Sequence, residues 1–381
     1  MRLADKAPLL GGGIFFGLMA RAEQAVARGR ALVPLHLGDS HLPPPQVVTL
    51  PALVSEPGVH QYGAIAGEPV LHEAVSDKLA RQGLPWRGPA EVQITCGATH
   101  ALLCGLLAIG NPGDEVVLPA PFWPLIRGIA RTASMVAVEL PLLSARGRVP
   151  LPERVAAAIG PKTRAIYVAS PNNPDGHVTP RAELEAVVAL ARQHDLWLLS
   201  DEVYEDLDYR PIHAVPLAAL PGAAERTISV WSLSKSYALA GLRVGYLAGP
   251  SELIAVVRRL VTHTVYNVPA ATQRAAAAAL TSGPPQYQGA FRRARDQAVA
   301  GLAALGPLPG LQAPDGGTFL FLDLSGFGPD ALERLADDGV VLAPGDAFGA
   351  AYGGWARLCF TATSSEVLAD GLSRMVRVLG R

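Results

Sequence analysis

The sequence predicts an α/β protein with two domains: a large one whose mixed, mostly parallel sheet carries helices on both faces, and a smaller α/β one. From residue 91 onward, short apolar runs rich in β-branched residues alternate with segments of helical period, the pattern of parallel strands covered on both faces. Half of the 381 residues are hydrophobic, enough for a large core. The run Ser282-Gly-Pro-Pro285 then breaks the alternation and a different order of elements comes after it. These features predict a large domain over 45–283, with 1–44 forming an N-terminal arm and part of the small domain that 284–381 completes.

The net charge is −1 with no run of lysine or arginine, which argues against a nucleic-acid or membrane-surface role. No apolar run is long enough to span a membrane. Cys96, Cys104 and Cys359 are an odd number in apolar contexts, as expected of reduced core residues rather than a disulfide framework or a metal site. The expected compartment is therefore cytoplasmic and the expected partners are small molecules and a second copy of the chain. An apolar run over 8–20 followed by Ala20-Arg-Ala22 mimics a secretory signal, but three glycines and Asp5 interrupt the pattern. We read it as an arm leading into a helix over Leu18–Arg28.

Val33–Leu37 reads as a short strand closing at Gly38 in a proline-rich loop, where the glycine serves either a turn or the close approach of a ligand. Tyr62-Gly-Ala-Ile-Ala-Gly67 precedes a helix with apolar positions at Leu71, Val75 and Leu79. Val92–Cys96 is strand-like, Gly97-Ala98-Thr99 a turn, and His100–Ile109 an apolar helix. A helix start of this kind offers free N–H groups and a positive dipole end to an anion. Glu115–Pro119 is a strand that runs into Ala120-Pro-Phe-Trp123.

Arg164–Ser170 is a further strand, ending in Pro171-Asn-Asn173-Pro-Asp175-Gly176. Such a run makes a turn, and at the carboxyl end of a strand it also lies where open α/β sheets bind ligands. After a helix over Arg181–His194, the apolar strand Leu196–Ser200 ends in Asp201-Glu-Val-Tyr204. Asp201 there is either a helix cap or an acid in need of a cationic partner. In the last third, helices are expected over 287–305, 329–338 and 365–379, with strands at 316–323 and 356–360. Arg357 lies within the second of these strands and should seek a carboxylate.

The most informative stretch is Thr227-Ile-Ser-Val-Trp231-Ser-Leu-Ser-Lys235-Ser-Tyr-Ala-Leu-Ala-Gly-Leu-Arg243-Val-Gly-Tyr246. Only four of the 32 basic residues are lysine, so arginine serves wherever positive charge suffices. Lysine differs in that desolvation lets it lose a proton and attack a carbonyl. Lys235, just past a buried strand and two serines, has the setting of a Schiff-base lysine.

This segment resembles the pyridoxal-phosphate lysine segment of the fold-type I aminotransferases, the aspartate aminotransferase superfamily, and four further motifs between Tyr62 and Arg357 come in the same order. The resemblance implies a fold-type I enzyme with pyridoxal 5′-phosphate held by Lys235 as an internal aldimine. It implies that Asp201 meets the ring nitrogen, that Tyr204 and Asn173 meet the ring oxygen, and that Trp123 covers one ring face. Ser232, Ser234, Arg243, the N–H groups around Ala98 and Thr99, and Tyr62 from a second subunit would hold the phosphate, which makes the protein a homodimer. Arg357, with Gly38 and Asn173 nearby, would take the substrate α-carboxylate. Asp175 departs from the family, which has threonine there. Cis bonds are expected at Ala120–Pro121 and Asn173–Pro174.

The implied activity is amino-group transfer from an L-amino acid to a 2-oxo acid. A lyase, cyclase, synthase or oxidase-like reaction on an amino acid shares the same first step and stays open. A ligand-sensing domain of a transcription regulator is the reading from another class, and would call for a winged helix ahead of the arm. Side-chain preference would depend on loops such as 9–17 and 262–269.

Overall fold

The computed structural model describes residues 10, 16–48, 58–211, 213–284 and 287–380. Most of loop 9–17 and Pro285 of the predicted break lie outside them. Seven strands form the main sheet: β2 (Val92–Thr95), β3 (Glu115–Ala120), β4 (Val136–Pro141), β7 (Thr163–Ala169), β8 (Trp197–Asp201), β9 (Thr227–Ser232) and β10 (Gly245–Ala248). β1 (Val33–Pro34), β5 (Leu143–Ser144) and β6 (Gly147–Arg148) lie outside it. The order is β2-β10-β9-β8-β7-β3-β4, and only β10 runs against its neighbours. The sheet is thus mixed and mostly parallel, as the apolar runs predict. Central strands such as β8 and β9 are buried nearly throughout because helices cover both faces.

The second sheet is small and antiparallel, with β14 (Trp355–Cys359) between β11 (Phe319–Asp323) and β13 (Ala343–Pro344). Before it in the chain come the helices Ala270–Ser282 and Gln288–Leu302, and Ser365–Leu379 comes after it. The N-terminal segment joins this part of the molecule: β1 pairs in parallel with β12 (Val340–Val341), and the helix Phe16–Ala27 is tied to it by Arg21–Asp337 at 3.0 Å.

The stretch between Pro124 and Pro161, where no motif stands out, supplies the helix Pro124–Thr132, edge strand β4 and the β5–β6 hairpin. Two local expectations change. The helix read from His100 begins at Gly97, because the small residues Gly97-Ala98-Thr99 fit its first turn instead of preceding it. Ala120–Pro121 is cis, but the second cis bond is Ser170–Pro171 and not Asn173–Pro174; the chain reverses at the first residues after β7, ahead of the asparagine.

A buried charged cluster lies behind the sheet's carboxyl edge. Lys78, on the helix Pro69–Arg81, meets Glu205 at 2.7 Å and Asp206 at 2.8 Å, and Glu205 also accepts from Trp231 Nε1 at 2.8 Å. Burial works to lower the Lys78 pKa, but Glu205 and Asp206 hold it well above the usual lysine value. Lys78→Met leaves two enclosed carboxylates without a cation, so a loss of about 3–5 kcal/mol is expected. Urea unfolding at fixed cofactor concentration reads it. Adding Glu205→Gln should recover part of that loss, and a change under about 1 kcal/mol in the single variant would show the cluster to be solvated.

Candidate active site

The parallel strands end on one edge of the sheet, and their register brings the predicted residues together there. Ala169 pairs with Asp201, Asp201 with Val230, and Gly245 with both Ser232 and Thr95. The segments that leave these strand ends therefore converge on one place: Ala98 and Thr99 after β2, Trp123 after β3, Asn173 after β7, Tyr204 after β8, and Lys235 after β9. All of these, with Asp201, Ser232, Ser234 and Arg243, line a cavity of about 130 Å³.

Asp201 is buried, and its Oδ1 accepts from Val203 N–H at 3.2 Å while Oδ2 accepts from Tyr167 O–H at 2.7 Å. Burial raises its pKa, with the Tyr167 and Val203 bonds opposing the rise. This is the balance expected of an acid waiting for a cation. Tyr167 escapes a reading of the sequence. The available signal is a phenol in the otherwise apolar centre of β7.

Lys235 Nζ donates to Gly38 C=O at 2.5 Å, and burial lowers its pKa, with Arg357 and Arg243 adding to the effect and Asp39 opposing it. Tyr204 O–H accepts from Asn173 Nδ2 at 3.3 Å, which leaves the phenolic proton available to a further acceptor. Burial pushes that phenol well above its usual range.

At the other end of the cavity, the helix Gly97–Ile109 starts without a side-chain cap, so its first N–H groups are open to an anion. Arg243, at a φ of 55°, lies against this terminus: a Cβ on Gly97 would come within 2.5 Å of its Nη2. Gly245 is needed for the same reason, since a Cβ there would lie 2.8 Å from Ala98 N. Ser232 Oγ donates to Ser234 Oγ at 2.9 Å and accepts from Ser234 N–H at 3.1 Å. No carboxylate among the described residues pairs with Arg243. The aromatic residue at the cavity is Trp123, whereas Phe122 is fully buried in the core.

Arg357 is 6% exposed. Its guanidinium lies over Phe319 at 4.1 Å and Phe348 at 4.9 Å, donating to Asn173 Oδ1 at 3.0 Å and His36 C=O at 2.8 Å. The carboxylate that its place in a strand calls for is absent among the described residues; its register partners are the apolar Phe321 on β11 and Ala343 on β13. Its Nε has no hydrogen-bond partner. A buried guanidinium on two phenyl faces, held by neutral acceptors only, is a site for an anionic ligand. Gly38 lies beside it, where a Cβ would come 3.7 Å from Arg357 Nη2 and 3.0 Å from Phe319.

Tyr62 does not line the cavity: it is 87% exposed and packs edge-on against Tyr266 at 5.1 Å. The residues lining the cavity fit pyridoxal phosphate: an arginine with no carboxylate at an uncapped helix start for the phosphate, a buried acid for the ring nitrogen, and a lysine of lowered pKa on the same wall.

Comparison with known proteins agrees. Residues 33–375 match the family of class I and II aminotransferases. The chain is 38% identical to the aspartate/prephenate aminotransferase of Thermus thermophilus over 95% of its own length and 94% of the relative's. It is 35% identical to an arginine–pyruvate transaminase of Pseudomonas aeruginosa over 91% and 88% of the two chains. Its fold superposes on an aspartate aminotransferase from Thermotoga maritima with a TM-score of 0.92, at 28% identity, over 100% of both chains. No helix among the described residues is long and apolar enough to cross a membrane.

Proposed function

From the premise that this chain belongs to the class I and II aminotransferases and is a pyridoxal-phosphate-dependent transaminase, we propose how its residues divide the work. The observation that carries the division is the different setting of two arginines, Arg243 on the cavity wall at a helix start and Arg357 buried over two phenyl rings and bonded to the cavity residue Asn173. We assign the first to the cofactor phosphate and the second to the substrate α-carboxylate.

Pyridoxal phosphate supplies the electron sink for charge developing at the substrate Cα. Asp201, kept from water and fixed by Tyr167, holds a proton on the ring nitrogen. Tyr204 and Asn173 donate to the ring oxygen. Ser232, Ser234 and the N–H groups of Ala98 and Thr99 join Arg243 at the phosphate, and Trp123 covers a ring face. Lys235 would hold the cofactor at rest, and its amine, once released, would take up the proton leaving the substrate Cα and keep it at the site for return to the product. Arg357 orients the substrate so that this Cα–H faces the lysine, while Gly38 leaves room for the carboxylate.

We further propose that Tyr62, exposed on its own protomer, completes the site of a second subunit, and that the chain divides into a large domain over 45–283 and a small one formed by part of 1–44 with 284–381. The substrates so implied are an L-amino acid and a 2-oxo acid. Mixing the loaded protein with single amino acids should shift the cofactor's absorbance to that of its aminated form, and a 2-oxo acid should shift it back. A shift that no oxo acid reverses would favour a lyase or synthase reaction instead. Sedimentation of the same sample as a monomer would remove the role given to Tyr62.

A further inference from the structure

The carboxylate of Asp175 is not free beside the substrate. It pairs with Arg148 at the end of β6, with side chains only 9% and 22% exposed. Its other oxygen accepts from Asn172 Nδ2 at 2.8 Å and from His177 N–H at 3.3 Å, as an aspartate does when it closes a turn on its own backbone. Asn172 Nδ2 also donates to Pro121 C=O at 2.9 Å, two residues before Trp123.

Between Asn172 and Asp175 stands Asn173, which receives Arg357 and donates to Tyr204. The turn is closed by Asn172 N–H on His177 C=O and by Gly176 N–H on Asn172 C=O, both at 2.9 Å. One side is backed by Gly316, close enough that a Cβ on Gly176, at a φ of 63°, would meet its carbonyl at 2.3 Å. The other side rests on Arg148. The hairpin that carries Arg148 is itself fixed by Tyr352, whose hydroxyl accepts from Leu143 N–H at 3.3 Å and donates to Ala120 C=O at 2.8 Å.

We propose that Asp175 and Arg148 are a positioning pair, and that they set the direction in which Asn173 meets Arg357 and so the fit of the substrate α-carboxylate. The inference rests on the carboxylate role given above to Arg357 and Asn173. Without Arg148 the turn keeps its backbone bonds, but Asp175 becomes an enclosed charge that must turn toward water. Asn172 then swings with it, and Asn173 moves off Arg357. Small misplacements of an orienting group lower turnover at subsaturating substrate concentration far more than they change the fold.

The test is a cycle of Asp175→Asn, Arg148→Gln and the double variant, made as full-length holoenzyme. Each single variant should raise KM for both the amino acid and the 2-oxo acid by about five- to tenfold, with kcat within about threefold and pyridoxal phosphate affinity unchanged. The double variant should be no worse than the poorer single one, because the pair acts as a unit. Arg148→Lys, which keeps the charge, should recover part of the lost KM. A fall in thermal stability with unchanged KM would leave the pair only a structural role and overturn the proposal, as would additive effects in the double variant. Should Asp175→Asn fail to fold, the two Arg148 variants still decide by their KM values. If instead Arg357 does not bind the carboxylate, Arg357→Lys keeps a normal KM, so that failure is seen separately.

Discussion

Lys235→Ala should lose transamination by about a thousandfold or more, since both covalent attachment of the cofactor and the proton transfer at Cα depend on one amine. Borohydride reduction of the wild-type protein should fix pyridoxyl mass to the peptide holding Lys235 and to no other. The structure gives each remaining lysine of the described residues a reason to be passed over. Lys78 is held protonated by Glu205 and Asp206, and Lys162 is exposed in the turn before β7. Lys235 alone combines a cavity wall with a pKa lowered by burial. Only the neutral amine attacks, so the rate of cofactor uptake by apo-protein should rise with pH through a midpoint below that of an ordinary lysine. Label on Lys78 or Lys162, or a midpoint at or above the ordinary value, would end the assignment.

The site is legible where chemistry comes directly after a strand end in the chain. Asp201 and Lys235 sit just past apolar runs, and a parallel sheet delivers its strand ends to one edge whatever the loops do. The hidden part depends on partners far away in sequence. Nothing near Tyr167 announces that it donates to Asp201, because the two meet only through the pairing of β7 with β8. Arg148 lies in a two-residue strand without a sequence signal, so from sequence Asp175 shows only as a departure from the family's threonine and not as half of a pair. Arg357 reads correctly as an arginine in a strand, yet its setting of two phenyl faces and a main-chain carbonyl comes from three separate segments. The helix start at Gly97 is misplaced for a local reason: glycine, alanine and threonine together give no strong helical signal, and packing against Arg243 and Gly245 decides their conformation instead.

The two arginines should fail in different ways when each is changed to lysine. At Arg357 the guanidinium lies over the rings of Phe319 and Phe348 and spends one donor on Asn173 and another on His36. An ammonium keeps the charge but cannot reproduce the fork or the stacking. With charged hydrogen bonds worth roughly 1.5–3 kcal/mol each, Arg357→Lys should lose about tenfold or more in amino-acid affinity. Cofactor retention should survive, since Arg243, the serines and the helix start are untouched. Arg243→Lys removes a donor pair at that helix start, where the backbone is held at a φ of 55°. It should weaken pyridoxal phosphate binding, and its thermal stability should then depend more steeply on added cofactor than the wild type's does, because bound ligand stabilises the native state by mass action. Titrating both variants first with pyridoxal phosphate and then with an amino acid separates the two outcomes. If Arg357→Lys sheds the cofactor while Arg243→Lys loses only substrate affinity, the phosphate and carboxylate roles of the two arginines are reversed.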